Sequence, residues 1–282
     1  LLKLRIITAV CLIPLVLSAI FLLPLPFFAL FVTLIFLLAG REWGRFIDIQ
    51  RANVVMVSLG LILIGLMAAV PIEHIWSPGL HPWISTLLCA GVGWWLASLG
   101  LVLAYPRSAG LWRSQRWLKA LFAILTLVPF FWSVLALRSY QYDESSYFGA
   151  WLLLFVMSLV WFADTGAYFV GKALGRHKLC PKVSPGKTIE GMLGGVAFAS
   201  LLAWSVIQFL TLDGPQGTVL LIASVAAVLA SVLGDLVESM FKREAGLKDS
   251  GQILPGHGGI MDRIDSLTAA LPVFVVTVRL LS

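Results

Sequence analysis

"ASVAAVLASVLGDLVESMFKRE", residues 223–244, is an apolar run that ends in charge. Ala223, Ala227 and Ser231 recur every fourth residue, and Asp235 falls next in the row. Four residues are just over one helical turn, so these positions share a helix face. Small side chains at that spacing let two helices approach closely within a membrane. The same face carries Asp235 into a crowded helix junction, with Ser239 and Lys242 at the next two turns. A carboxylate in such a place needs a cation or donors to meet it, which makes Asp235 a functional candidate. Glu238, Lys242 and Glu244 read more simply as a solvated helix end.

The rest of the chain has the same character. Of its 282 residues 60% are hydrophobic and only 12% are charged, with a mean hydropathy of +0.96. A soluble domain has no use for so much apolar surface, so the class is integral membrane protein. Stretches of about 20 mainly apolar residues, enough to cross a bilayer, fall near 6–23, 26–40, 54–71, 84–104, 118–137, 149–171, 191–211, 217–236 and 266–281. The first follows Lys3 and Arg5 but lacks a small-residue cleavage site and leads straight into the second, so it reads as a retained helix.

The basic residues check this division. Lys3 and Arg5 precede the first span; Arg41, Arg45 and Arg51 follow the second; Arg107, Arg113, Arg116 and Lys119 follow the fourth. Lys172, Arg176, Lys178, Lys182 and Lys187 follow the sixth, and Lys242, Arg243, Lys248 and Arg263 follow the eighth. Only Arg138 and Arg279 lie elsewhere. Nine spans therefore put nearly all positive charge on one side, which the positive-inside rule makes cytoplasmic. The expected fold is all-α: a polytopic membrane protein of about nine transmembrane helices with a cytoplasmic N-terminus. Without a long linker or repeat, residues 1–282 read as one membrane domain, with plainer helices in 1–140 and the candidate site helices and loops in 141–282. The outer loops "VPIEHIWSPGLHPW" and "RSYQYDESSYFG" look like interfacial anchors. Cys11, Cys89 and Cys180 form no CxxC pair and read as small buried residues.

Two connections on the basic side carry chemistry. In "WFADTGAYFVGKALGRHKLCPKVSPGKTIEG", residues 161–191, Asp164 sits in or at the rim of a span and should face a polar cavity or a cation. The lysines after it suit a polyphosphate, although orientation and anionic headgroups would also account for them. "SPGKT" is not a phosphate-binding P-loop: Pro181 stands where the motif needs its first glycine, and no strand is expected before it. Lys182 and Lys187 can still serve as point charges on phosphates.

The second connection is "KDSGQILPGHGGIMDRIDS", residues 248–266. Asp262 and Asp265 share a face if the last helix begins near Met261. With Asp249 beside them and Asp235 within reach, their repulsion calls for a cation, and oxygen-only ligands point to magnesium rather than zinc. Gly256, Gly258 and Gly259 would let backbone come close to a phosphate or sugar around His257.

Ser239, Phe241, Lys242, Arg243, Lys248, Asp249, Gly251, Leu254, Pro255, His257, Gly258, Gly259, Asp262, Arg263 and Asp265 together resemble the signature of the phosphatidate cytidylyltransferases, with "KVSPGKTIEG" and the Asp-Thr-Gly-Ala-Tyr run at 164–168 adding to the match. The N-terminal half resembles bacterial members more loosely. The resemblance implies transfer of CMP from CTP to phosphatidic acid with release of pyrophosphate, in the service of phospholipid biosynthesis at the bacterial inner membrane. It implies Mg²⁺, held by Asp235, Asp262 and Asp265 with Asp249 as a further ligand, and allows a second cation such as K⁺. Lys182 and Lys187 would hold the triphosphate; Arg243, Lys248 and Arg263 would hold phosphate of either substrate, beside Ser239, Lys242, Gly258 and Gly259. Asp164 would orient a lysine or extend the metal shell. His257 would donate to pyrophosphate or brace its loop. CTP, phosphatidic acid and the bilayer are the expected partners, without nucleic acid; a homodimer is compatible with the sequence. An ion-coupled transporter would explain Asp164 and Asp235 but not the glycines and basic loops gathered on one side, and such proteins place polar groups near the midplane.

Overall fold

The computed structural model describes residues 2–48, 50, 52–76 and 79–282, with only the backbone at 2–7 and 9. Ten α-helices follow in order: α1 Leu2–Leu22, α2 Leu25–Ile47, α3 Ala52–Ala69, α4 Pro82–Leu103, the single turn α5 Ala109–Trp112, α6 Arg116–Arg138, α7 Phe148–Leu174, α8 Ile189–Phe209, α9 Gly214–Glu244 and α10 Met261–Leu281. Among the described residues eight are long and apolar enough to cross a membrane, and α1 adds a shorter apolar stretch, Val10–Leu22. The protein is a polytopic helical membrane protein. The nine long helices among the described residues correspond to the nine expected spans.

Prolines and caps mark where the helices begin. Pro26 lies in the first turn of α2 and Pro82 opens α4, where a missing N–H costs nothing. Thr188 accepts from Gly191 N at the start of α8, and Asp213 from Gln216 N at the start of α9. The His81 ring accepts from Trp83 N, so this outer-loop histidine caps α4. Helix α6 is the most enclosed of the spans: Phe131, Trp132, Leu135 and Ala136 have no exposed surface. It is the axis around which α2, α4 and α10 pack.

The connections sort into two ends, as the charge pattern requires. At one end Lys119 Nζ donates to Phe46 O at 3.0 Å, Arg116 pairs with Asp48 at 3.2 Å, Tyr105 donates to Glu244 at 2.9 Å and Arg243 Nε donates to Val183 O at 3.3 Å. Burial and the Glu244 carboxylate hold the Tyr105 phenol above its usual pKa, so it remains a donor. Arg51 lies outside the described residues, as do the side chains of Lys3 and Arg5. At the opposite end Arg138, one of the two exceptions to the pattern, is 1% exposed. It donates to Ile20 O, Leu23 O and Ser146 O and lies over the Phe28 and Tyr142 rings, tying α1, α2 and the α6–α7 connection together.

Helix α9 continues through its charged end to Glu244, as expected, because Leu236, Val237, Met240 and Phe241 keep one face buried. Two details depart from expectation. A hairpin of β1 (Lys178–Cys180) and β2 (Ser184–Thr188) precedes α8, so a short strand does come directly before Pro181. Cys11 and Cys89 are exposed on the bundle surface and Cys180 is half-buried, so the cysteines are free but not core residues.

Candidate active site

The charged groups of α7, α9, α10, the hairpin and the 245–260 connection meet at the basic end. Gly234 makes the first junction. A side chain there would meet the carbonyl of Asp265 at 2.5 Å, so only glycine lets α10 lie this close to α9. Ala223, Ala227 and Ser231 lie buried along the same helix. As a result Asp235 on α9 lies within Coulombic reach of both Asp265 on α10 and Asp164 on α7.

Two lysines answer these carboxylates. Lys187, in β2, reaches across to Asp235 at 2.8 Å, while Ser239 donates to the other oxygen of Asp235 at 3.2 Å. The hairpin is braced for this: Val183 in its turn is wholly buried, and its carbonyl accepts from Arg243. Lys182 is exposed at the turn and does not reach the carboxylates. Lys242 lies between Glu238 (2.6 Å) and Asp262 (2.7 Å). Glu238 is 1% exposed, not a solvated helix end, and its Oε1 is buried without a hydrogen-bond partner.

Asp262 is engaged through both oxygens. Besides Lys242 it accepts from Ser250 N at 2.9 Å and Gly259 N at 2.8 Å, with the Ser250 hydroxyl also at 2.9 Å. Gly258, with φ of +82°, turns the chain so that this can happen; a side chain there would meet Asp262 Oδ2 at 2.6 Å. These glycines therefore make room for a carboxylate of the protein, and the Gly259 N–H is already engaged.

Two clefts open on either side. One, of about 380 Å³, is lined by Asp164, Tyr168, Lys172, Lys187 and Thr188 with Val228 and Val232 on its wall. The other, of about 590 Å³, is lined by Lys248, Asp249, His257, Gly258 and Arg263. His257 Nδ1 is buried and without a partner.

A hard cation was expected on Asp235, Asp262, Asp265 and Asp249. Among the described residues no three Asp, Glu, His or Cys side chains are gathered as a ready site. Asp262 is engaged mainly through Oδ2, while Oδ1 meets only Lys242, and Asp249 lines the outer cleft. Asp235 and Asp265, with the orphaned oxygen of Glu238 nearby, do fit Mg²⁺, which is usually held by one or two carboxylates and completed by substrate phosphates.

Sequence reasoning missed three participants. Glu42 and Arg45 reach the 245–260 connection from α2, and Ser250 receives them both. The charges at the end of α2 read only as topology signals, because what they bind lies more than 200 residues away.

A helical membrane bundle with a lysine hairpin facing carboxylates at one end is built for joining anions, and the comparisons agree. The chain belongs to the cytidylyltransferase family, whose profile matches residues 3–281. It is 45% identical over 279 residues to the phosphatidate cytidylyltransferase of Haemophilus influenzae, covering 97% of each chain. It is 39% identical over 273 residues to that of Pseudomonas aeruginosa, covering 97% of this chain and 95% of that one. Similarity extends to the Staphylococcus haemolyticus protein of the same name, 38% over 192 residues, 61% of this chain and 73% of the other.

Proposed function

We propose that this chain is a phosphatidate cytidylyltransferase, which forms CDP-diacylglycerol and pyrophosphate from CTP and phosphatidate. The observation that carries this is near full-length similarity to two proteins of that name, in a chain whose basic hairpin meets carboxylates at one end of the bundle.

The reaction needs little proton chemistry. An anionic oxygen of the lipid phosphate attacks the α-phosphorus of CTP, a new P–O–P bond forms, and the α–β P–O bond breaks with its electron pair leaving on pyrophosphate. The barrier is the meeting of two anions, so positioning and charge compensation supply most of the catalysis. Lys187 exchanges Asp235 for a triphosphate oxygen, with Lys182 nearer the water. Lys248 and Arg263 hold phosphate in the larger cleft, with Arg243 beside the hairpin. His257, whose Nδ1 is buried without a partner, lines that cleft to meet a phosphate or brace the loop. Lys242, engaged by Glu238 and Asp262, keeps the carboxylates apart and in place. Asp235 and Asp265 would hold Mg²⁺, whose role is to offset charge on the phosphates, and Asp249 is the candidate to hold a second cation such as K⁺.

The basic end faces the cytoplasm of a bacterial inner membrane, as the positive-inside rule requires, and residues 1–282 act as one membrane domain. CTP then enters from water while phosphatidate keeps its acyl chains in lipid. A homodimer is compatible with this arrangement.

The purified protein in detergent is expected to release pyrophosphate from CTP only when phosphatidate and Mg²⁺ are present, and a chelator to stop it. No release from folded protein would overturn the reading. A single cysteine at Gln252 in an otherwise cysteine-free chain should resist an impermeant maleimide in cells whose inner membrane is intact and react in inverted vesicles. The reverse pattern would overturn the orientation.

A further inference from the structure

Glu42 lies near the end of α2, and the chemistry above assigns it no task. Its side chain is 2% exposed, and among the described residues it has no ion pair within 4.0 Å. A buried carboxylate without a cation must be held by other donors. Here Oε1 accepts from Ile260 N at 3.0 Å, and Oε2 accepts from Met261 N at 2.8 Å with the Ser250 hydroxyl at 2.9 Å. Arg45, one turn further along α2, donates to the Ser250 carbonyl.

These attachments sit at the two ends of one segment. Ser250 opens it, and Ile260 and Met261 close it at the first turn of α10. The Glu42 carboxylate thus joins both ends of residues 250–261 and caps the exposed N–H groups of α10. Gly251 and Gly259 pack on the carboxylate itself, and a side chain at either would collide with it. The Ser250 hydroxyl is shared with Asp262, so Glu42 is linked through one residue to Asp262 and Lys242.

We propose that Glu42 is a positioning residue for cytidylyl transfer: from α2 it sets the segment that presents His257, Gly258 and, just beyond its ends, Lys248, Asp249 and Arg263. This rests on the reading of that segment as part of the active site. An N-terminal helix outside the signature motif then determines whether the motif holds its shape. Glu42→Gln keeps the volume, but its amide nitrogen must face a backbone N–H, donor against donor, and at least one attachment is lost.

The test uses the full chain in detergent. Glu42→Gln is expected to lower kcat roughly tenfold or more, on the scale that small misplacements cost. The KM for CTP should rise severalfold, because the basic groups of the segment are displaced with it. A simple loss of folded protein would lower kcat and leave KM alone. Hydrogen exchange at 250–261 should quicken while exchange in the middle of α6 and α9 stays as in the parent. Ser250→Ala, which removes the shared hydroxyl, should do the same more mildly, and its effect should largely vanish when Glu42 is already Gln. Parental kcat, KM and segment exchange in Glu42→Gln, alongside an inactive Asp265→Asn, would overturn the role of Glu42 alone. Full activity in Asp265→Asn would instead remove the active-site reading beneath it. If Glu42→Gln does not fold, Ser250→Ala decides: unchanged kcat and segment exchange in that variant overturn the proposal.

Discussion

Asp265→Asn is expected to lower the rate of pyrophosphate release roughly 10²- to 10³-fold, the scale seen when one preorganised electrostatic group is removed. The substitution keeps shape. The Asn carbonyl can still accept from Ser266 N, as Oδ1 of Asp265 does at 2.7 Å, and the Gly234 contact involves only backbone. What is lost is a charge beside Asp235 and Glu238, where the protein has more carboxylates than lysines to answer them. Asp235→Asn should be equally damaging and should also release Lys187, which now lies 2.8 Å from it. The assay is CTP-dependent pyrophosphate release with phosphatidate and Mg²⁺, beside a thermal midpoint in detergent. Full activity in both variants would remove Asp235 and Asp265 from the site.

Lys242→Met is expected to be the most destabilising single change at this end of the bundle, by about 3–5 kcal/mol, the cost of removing one partner from a buried ion pair. Lys242 serves two carboxylates whose side chains are 1% and 6% exposed. Asp262 would keep its bonds from Ser250 and Gly259, but Glu238 would lose the lysine on Oε2 while its buried Oε1 already lacks a hydrogen bond. The damage should therefore be repaired in part by neutralising Glu238: the pair Lys242→Met with Glu238→Gln should melt above Lys242→Met alone. If the double variant is no more stable than the single, the buried charge is not the cause.

Much of this molecule is legible along the chain, for definite reasons. Spans announce themselves because about 20 residues must be apolar at once, and their sidedness because basic residues alternate between connections. The small-residue row ending at Asp235 marks the α9 junction in the sequence, whereas the apolar pattern puts the last span at 266–281 and α10 begins ahead of it, at Met261. Lys182 and Lys187 look alike as lysines of one loop, and only the hairpin tells them apart, with Lys187 in β2 against Asp235 and Lys182 exposed at the turn. Glu238 looked like surface because a helix end after an apolar run usually is, yet α10 and Lys242 cover it. Glu42 could not be read at all, since its partners are mainly backbone N–H groups that no residue pattern advertises.

The division has a physical cause. Hydropathy, charge sorting and a family signature are sums over neighbouring residues, so sequence alone determined the membrane bundle, its two-ended loops and the reaction class. Which carboxylate meets which donor depends on separations of about 3 Å between segments as much as 219 residues apart. Only the tertiary structure decided that Asp262 braces the loop, that Asp235 waits on Lys187, and that Glu42 ties the motif to the second helix.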